Sequence, residues 1–391
     1  MVTWLLLIIY LSFIGLGLPD AILGASWAIV HRELGVDIDW QGILTITISG
    51  GTIVSSFLSG YLIKKFKTGP LTFISTLMTA IAVLGMTVTH SFFWFWFFAI
   101  PLGLGAGAVD TALNNYVALH YQSRHMNWLH SFWGVGALTG PFIISFFLNG
   151  PSTWRKGYLT IALCLFFLTV LLFLSLPIWK RVEERANVLK PAAETKPASA
   201  SPFRLNRKIL SALLVFLFYS ATEMSMNAWG SVYLINTHQF TASQAARTVS
   251  LFFIGIMTGR FLVGFISSRL GNPLLIRIGQ ILAFIGAGTI LLAGAREAVI
   301  VGFLLIGLGC APIFPAMIHE TPNRFGSAYS QRLIGFQMGF SYIGGTFIPP
   351  LIGIVAKWTT FRFLPHILIA FILIMFICSE ALDRIGKTLD N

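Results

Sequence analysis

The chain has 391 residues, of which 56% are hydrophobic and only 10% are charged, and its formal net charge is +12. Soluble domains carry about a quarter charged residues, so this composition excludes a soluble enzyme, a nucleic-acid-binding protein and a disordered tail. The composition predicts an all-α polytopic membrane protein, whose excess positive charge belongs to basic loops held on the cytoplasmic face.

The apolar runs predict twelve membrane-spanning helices, each of which takes roughly 20 apolar residues. The first six predicted spans are 4–30, 40–63, 70–89, 92–119, 128–149 and 158–178. The other six are 209–236, 245–266, 273–293, 297–319, 332–356 and 361–382. The N-terminus has no basic n-region and no clean cleavage site, so its apolar run is predicted to be a retained span rather than a signal peptide.

A basic stretch rich in Pro, Ala and Ser, residues 180–208, separates the two sets of spans. It lacks apolar bulk, which predicts a flexible cytoplasmic linker between an N-terminal six-helix bundle, 1–179, and a C-terminal six-helix bundle, 209–391. When both termini are placed in the cytoplasm, most Lys and Arg residues fall in cytoplasmic loops. The sequence therefore predicts a multi-pass protein of the cell's inner (plasma) membrane with cytoplasmic N- and C-termini.

Six spans, a basic linker and six further spans resemble the plan of the major facilitator superfamily. The loops after the second and eighth spans both resemble that superfamily's Gly-x-x-x-Asp-Arg-x-Gly signature. The similarity of the two loops indicates an internal duplication. Lys64 and Ser268 replace the signature's acid, whereas the basic residues Lys65 and Arg269 are present. The resemblance makes Lys65 and Arg269 candidate gating residues, but the missing acids put the usual charge relay at the gate in doubt.

Three acidic residues lie well inside predicted spans, namely Asp20, Asp110 and Glu223. Charged side chains within the bilayer are costly and usually face a cavity with a function. The three lie on spans 1, 4 and 7, which in the superfamily are first helices of three-helix repeats and line the central cavity. Asp20 and Asp110 lie at different depths, so they would pass a proton between the two sides. The alternative is that each carboxylate only accepts hydrogen bonds from neighbouring helices.

Around these acids, polar and aromatic residues predict a sugar site. Glu223 and Asn227 are one helical turn apart, and Trp229 lies next to that face. A carboxylate, an amide and an aromatic ring suit the hydroxyls and the C–H face of a sugar, although helix packing would also account for them. The candidate substrate-binding residues are Asn114, Asn127, His130, Glu223, Asn227, Trp229 and Gln337.

Two further features lie in the eighth and tenth spans. Pro312 and Pro315 are expected to break the tenth span and to permit bending, which makes them candidate gating residues. Arg260, in the eighth span, is expected to pair with an acid or a carbonyl group. An anion-binding role for it would need a second buried cation, and the sequence indicates none.

Four stretches resemble the fucose/glucose–galactose symporter branch of the superfamily: 17–20, 109–115, 129–136 and 311–315. The resemblance implies cation-coupled symport of a monosaccharide by alternating access, with the coupling roles on Asp20 and Asp110. A proton is favoured as the coupling ion, and sodium is the alternative because a carboxylate and Asn114 would also ligate it. The resemblance does not identify the sugar.

The stretch Gly136–Pro141 instead resembles the Gly-x-x-x-Gly-Pro signature of drug-exporting antiporters, so proton-coupled export of amphipathic compounds is the alternative function. Motifs for a nucleophile, a metal or a phosphate loop are missing, so the chain is predicted not to be an enzyme and to need no cofactor or metal. Its partners are predicted to be the small-molecule substrate and membrane lipid, with no nucleic acid, and it is predicted to be a monomer.

Overall fold

A computed structural model describes residues 2–20, 22–37, 40–147, 154–188, 206–358 and 360–387. These ranges contain thirteen α-helices, one short 3₁₀ helix and no strand. The first seven helices are α1 (Val2–Gly17), α2 (Ile22–Glu33), α3 (Gln41–Phe66), α4 (Thr68–Val88), α5 (Phe92–His120), α6 (Ser123–Ser145) and α7 (Trp154–Val188). The others are α8 (Arg207–His238), α9 (Ala242–Leu270), α10 (Asn272–Leu292), α11 (Arg296–Phe325), α12 (Ser327–Trp358), the 3₁₀ helix (Phe361–Phe363) and α13 (Leu364–Lys387).

Together, α1 and α2 form the first membrane span, and each later helix forms one span. Within the described ranges, eleven helices are long and apolar enough to cross a membrane. The twelfth is α6, which is 23 residues long but is made more polar by His130, Ser131 and its neighbours. The predicted all-α fold of twelve spans is therefore confirmed.

The first span is interrupted, although the sequence predicted one continuous helix over 4–30. A turn at Leu18, Pro19 and Asp20 separates α1 from α2. Pro19 has no N–H to continue the helical ladder, and the Asp20 amide instead donates to the Gly17 carbonyl at 3.2 Å. The interruption places Asp20 at a break rather than within a regular turn.

Prolines do not have the same effect in α11. The sequence predicted a break at Pro312 and Pro315, but α11 continues as one helix across both. A proline removes only one hydrogen bond, and neighbouring helices hold such a helix together in a packed bundle. The helix α7 also continues to Val188, into the start of the predicted linker. The rest of that linker, 189–205, lies outside the described residues.

The chain divides into two compact units. The first contains 1–116 and 132–203, and the second contains 117–131 and 204–391. In the first unit, large buried rings of Trp27, Trp154 and Tyr158 form much of the core. The units divide at 203/204, inside the predicted linker, and the second unit also includes the end of α5 and the start of α6.

Equivalent helices pack at equivalent glycines in the two units. A β-carbon at Gly136 in α6 would lie 2.1 Å from the Ile14 carbonyl oxygen in α1. A β-carbon at Gly344 in α12 would lie 2.1 Å from the Leu217 carbonyl oxygen in α8. The fifth span therefore packs on the first in the same way as the eleventh packs on the seventh, which fits a duplicated unit.

The two signature loops also share a backbone conformation. Between α3 and α4 the chain turns at Lys67, with φ 64° and ψ 165°. Between α9 and α10 it turns at Gly271, with φ 71° and ψ 152°. Positive φ costs glycine little, but a residue with a side chain rarely adopts it. The first unit therefore holds a strained turn where the second unit does not.

Candidate functional site

In the first unit, Asp110 is held by an amide on its own helix. The Asn114 side chain donates to Asp110 Oδ1 at 2.8 Å and to the Asp110 carbonyl at 3.0 Å. Both side chains are buried in α5. The one-turn spacing seen in the sequence therefore becomes a direct contact.

The other candidate coupling residue of this unit, Asp20, lies at the break between α1 and α2. Its side chain is exposed, and the Trp133 indole N–H donates to its Oδ2 at 2.7 Å. A β-carbon at Gly17 would lie 2.3 Å from the Trp133 carbonyl, so α6 approaches the break closely. Sequence reasoning missed Trp133, although it lies in the quoted stretch 129–136.

The packing of α6 also accounts for the glycines of the antiporter-like stretch. A β-carbon at Gly140 would lie 2.1 Å from the Leu18 carbonyl, one turn beyond the contact of Gly136 with Ile14. Small residues at this spacing let two helices approach. Their presence therefore follows from how α6 holds the broken first span.

The carboxylate of the second unit has a cation beside it. Glu223 in α8 is buried, and its Oε1 lies 3.9 Å from Nη2 of the buried Arg260 in α9. The same Nη2 donates to the Tyr219 hydroxyl at 3.0 Å. Tyr219 and Glu223 are one turn apart on α8. The expected pairing of Arg260 with an acid is thus present, and Tyr219 was not foreseen.

An aromatic residue of α11 connects this pair to His130. The Phe314 ring centroid lies 5.3 Å from that of Tyr219 and 5.1 Å from that of His130. Pro312 and Pro315, both buried, flank Phe314 in α11. The structure therefore brings Glu223 and His130 to one aromatic cluster, which spacing along the sequence did not indicate.

Three other candidates lie apart from that cluster. Asn227 is exposed, although it is one turn from buried Glu223. The Trp229 indole donates to the Pro349 carbonyl at 2.7 Å, and its ring packs 5.0 Å from that of Phe361. Gln337 accepts from the Thr321 hydroxyl at 3.0 Å. Their predicted substrate contacts stay predictions, and these neighbours account for the positions of Trp229 and Gln337.

Asn127, at the start of α6, is buried and only partly satisfied. Its Nδ2 donates to the Ser123 carbonyl at 3.0 Å. Its Oδ1 is buried and has no donor among the residues that the structure describes. A buried amide oxygen without a donor is costly, so this atom is suited to accept a hydrogen bond from a ligand.

A network of polar groups joins the turn between α5 and α6 to the signature loop of the second unit. Asn272 contacts the Ser123 hydroxyl, donates to Glu320 at 2.8 Å and lies 3.0 Å from His319 Nδ1. His319 Nε2 lies 2.8 Å from the Tyr121 carbonyl. Burial raises the pKa of Tyr121 to about 12, so its phenol is neutral. We call Tyr121, Ser123, Asn272, His319 and Glu320 the Asn272 network.

The two predicted basic gating residues are exposed. The Lys65 ammonium lies 5.3 Å from the Phe66 ring centroid and 5.9 Å from that of Tyr61. Arg269 is exposed near the end of α9. No group of three His, Cys, Asp or Glu residues within the described ranges is arranged to hold a metal ion.

Comparison with known sequences gives one family. The family model described as Major Facilitator Superfamily matches residues 5–319 and 213–385. The chain is 28% identical over 312 residues to the Glucose/mannose transporter GlcP of Bacillus subtilis (strain 168), covering 76% of each protein. It is 22% identical over 325 residues to Membrane protein MosC of Rhizobium meliloti, covering 81% of this chain and 75% of that protein.

Solved structures of low sequence identity share the fold. The outward conformation of the transporter FucP has a TM-score of 0.78 at 14% identity, covering 96% of this chain and 98% of that chain. The proton:xylose symporter XylE has a TM-score of 0.76 at 11% identity, covering 97% of this chain and 94% of that chain. The human organic anion transporter MFSD10 has a TM-score of 0.70 at 16% identity, covering 96% of this chain and 98% of that chain.

Proposed function

The chain belongs to the major facilitator superfamily, and from this we propose that it is a secondary active transporter that carries a monosaccharide together with a proton by alternating access. Members of this superfamily are membrane transporters and not enzymes. The proposal therefore concerns three finer properties: the substrate, the coupling ion and the mechanism.

The observation that carries the proposal is a pair of carboxylates on the first and fourth spans. Asp20 accepts from the neutral Trp133 indole and Asp110 from the neutral Asn114 amide. Ionisable groups within a membrane mark ion pathways. A proton bound at the buried Asp110 removes a charge from a low-dielectric environment, which favours movement of the loaded site. We assign proton coupling to Asp20 and Asp110.

Proteins with a similar sequence or fold support the choice of substrate and ion. One is named a glucose/mannose transporter. Two solved structures with this fold are those of a fucose:proton symporter and a proton:xylose symporter. We propose that Asn127, His130 and Glu223, which are buried polar residues of the second unit, contact the sugar. Contacts from Asn114, Gln337, Asn227 and Trp229 remain part of the proposal from sequence.

We further propose a location and a gate. The distribution of Lys and Arg supports an inner-membrane protein with cytoplasmic termini, which works as a monomer surrounded by lipid. The Asn272 network supports a cytoplasmic gate closed by hydrogen bonds to the Asn272 amide, in place of the signature's missing acid. Lys65 and Arg269, which lie in the two signature stretches, and Pro312 and Pro315, which lie in the continuous helix α11, are further proposed gating residues.

The test is transport by the purified full chain in proteoliposomes. Labelled glucose and mannose are offered under an inward proton gradient or an inward sodium gradient. We expect accumulation above equilibrium with the proton gradient alone. Accumulation with the sodium gradient alone would show that sodium, and not the proton, is the coupling ion. If no neutral sugar accumulates and the proton gradient drives export of amphipathic cations, the antiporter function replaces the symporter proposal.

A variant identifies the coupling site within the same assay. Asp110→Asn should abolish uphill accumulation and retain exchange of labelled for unlabelled sugar. Glu297→Gln, which alters an exposed acid at the start of α11, is the matched control and should accumulate sugar normally. Normal accumulation by Asp110→Asn would remove Asp110 from the coupling mechanism.

A further inference from the structure

Arg260 is a buried cation within the membrane, and its hydrogen-bonding capacity is only partly used. It is 5% exposed, and Nη2 donates to the Tyr219 hydroxyl at 3.0 Å. Its Nε is buried and has no acceptor within the described part of the chain. A guanidinium offers five N–H donors, and leaving one buried without an acceptor costs stability.

The contact of Arg260 with Glu223 is electrostatic rather than a tight hydrogen-bonded pair. The shortest distance between their charged atoms is 3.9 Å, beyond the usual range of an N–H···O bond. A carboxylate can accept about four hydrogen bonds. Glu223 therefore retains acceptor capacity beside a guanidinium that retains donor capacity, and both charges are buried in one place.

A hydroxyl group is the ligand that fits this combination. It donates through its O–H and accepts through its oxygen, so one hydroxyl satisfies a carboxylate and a guanidinium at once. A carboxylate ligand would satisfy Arg260 but would meet repulsion from Glu223. The formal charges of Arg260 and Glu223 cancel, so an uncharged ligand leaves the pair balanced.

We propose that Arg260 and Glu223 together bind a hydroxyl of an uncharged sugar, and that the pair excludes sugars that carry a carboxylate. This inference rests on the proposed sugar transport and adds the substrate class and a binding residue, Arg260. Tyr219 holds Nη2 in position, and the neighbouring Phe314 ring supplies an apolar surface for the sugar's C–H face.

The test compares neutral sugars with their acids. Glucose and mannose, and the glucuronate and mannuronate that differ from them only at the sixth carbon, compete for binding to the purified full chain. Wild type should prefer the neutral sugar of each pair. Glu223→Gln should weaken neutral-sugar binding about tenfold and strengthen uronate binding about tenfold, because the ligand's carboxylate then replaces Glu223 beside Arg260.

A second variant protects the test against misfolding. The double variant Glu223→Gln with Arg260→Gln buries no net charge, and it should lose neutral-sugar affinity about tenfold without gaining uronate affinity. Glu297→Gln should leave both affinities unchanged. An unchanged ratio of neutral to acid binding in both site variants would overturn the proposal and leave sugar transport standing.

The remaining outcomes are also distinct. If the wild-type protein prefers uronates, the site recognises acid sugars, and the proposed exclusion of sugars that carry a carboxylate is wrong. Wild type that binds neither neutral sugars nor uronates would overturn sugar transport itself, and this inference with it.

Discussion

The two units carry their membrane carboxylates in different electrostatic surroundings. In the first unit, Asp20 and Asp110 accept hydrogen bonds from the neutral side chains of Trp133 and Asn114. In the second unit, Glu223 lies beside the Arg260 guanidinium, which also donates to the Tyr219 hydroxyl. The packing of α6 on α1 and of α12 on α8 is equivalent in the two units, as the contacts at Gly136 and Gly344 show. The difference therefore lies in the side chains and in the break of the first span at Asp20, where the equivalent helix α8 is continuous.

The comparison indicates that the two units have different roles in transport. Protonating Asp110 removes a buried charge, which is favourable in a low dielectric. Protonating Glu223 would instead leave the Arg260 charge buried without its counter-ion, which is costly. We therefore expect the first unit to bind the coupling proton and the second unit to recognise the substrate.

The largest expected effect separates these two roles. Asp20→Asn should reduce sugar accumulation under a proton gradient to passive equilibration, because the side chain can no longer exchange a proton. Glu223→Gln should still accumulate sugar at saturating concentration, with a higher half-saturating concentration. Uptake assays in proteoliposomes measure both. Loss of accumulation in Glu223→Gln at saturation would show that the second unit also couples.

The next effect tests whether the two units are equivalent as scaffolds. Gly136→Ala and Gly344→Ala each place a β-carbon about 2 Å from a backbone oxygen, so each should destabilise the fold by about 1–3 kcal/mol or more. The measurement is the melting temperature of the detergent-solubilised protein. Gly288→Ala, whose β-carbon would meet nothing within 4 Å, is the control and should be neutral. Loss of stability in only one unit would break the equivalence.

A smaller effect is expected at the signature loops. Asn272→Ala removes one hydrogen-bond donor of Glu320 and the amide partner of His319, and should cost about 1–3 kcal/mol of stability. The equivalent residue of the first unit is Thr68, the first residue of α4. Thr68→Ala should cost less, because its carbonyl, which accepts from Thr72, is unchanged. Thermal unfolding of both variants checks this, and equal losses would contradict a special role for the Asn272 network.

The smallest effect concerns the turn that each loop makes. Lys67 has positive φ, so Lys67→Gly should raise stability by up to about 1 kcal/mol by relieving backbone strain. Gly271→Lys should lower stability by about 1–2 kcal/mol for the same reason. Melting temperatures of the two variants provide the comparison. A stabilising Gly271→Lys would show that contacts of the side chain outweigh backbone strain.

The amino-acid sequence by itself determined the fold class and much of the duplication. Long apolar segments of a chain are stable in a bilayer, where a helix satisfies the hydrogen bonds of its own backbone groups. One local site contact was also predictable, because Asp110 and Asn114 are one turn apart on the same helix. Residues four positions apart meet wherever a helix forms.

Only the tertiary structure decided which distant residues meet. Trp133 reaches Asp20 and Arg260 reaches Glu223 because of how α6 packs on α1 and how α9 packs on α8. Helical spacing predicted that Glu223, Asn227 and Trp229 would act together, but Asn227 is exposed and Trp229 bonds to α12. Spacing along one helix defines a face, whereas the neighbouring helices decide what that face contacts.

The effect of proline was likewise decided by packing. Pro19 lies at an interruption of the first span, whereas Pro312 and Pro315 lie inside the continuous helix α11. The residue removes the same hydrogen bond in each case. In α11 the surrounding helices keep the chain helical, and near Pro19 the close approach of α6 at Gly17 accommodates a turn. Local chemistry sets the cost of a break, and tertiary contacts decide whether the break occurs.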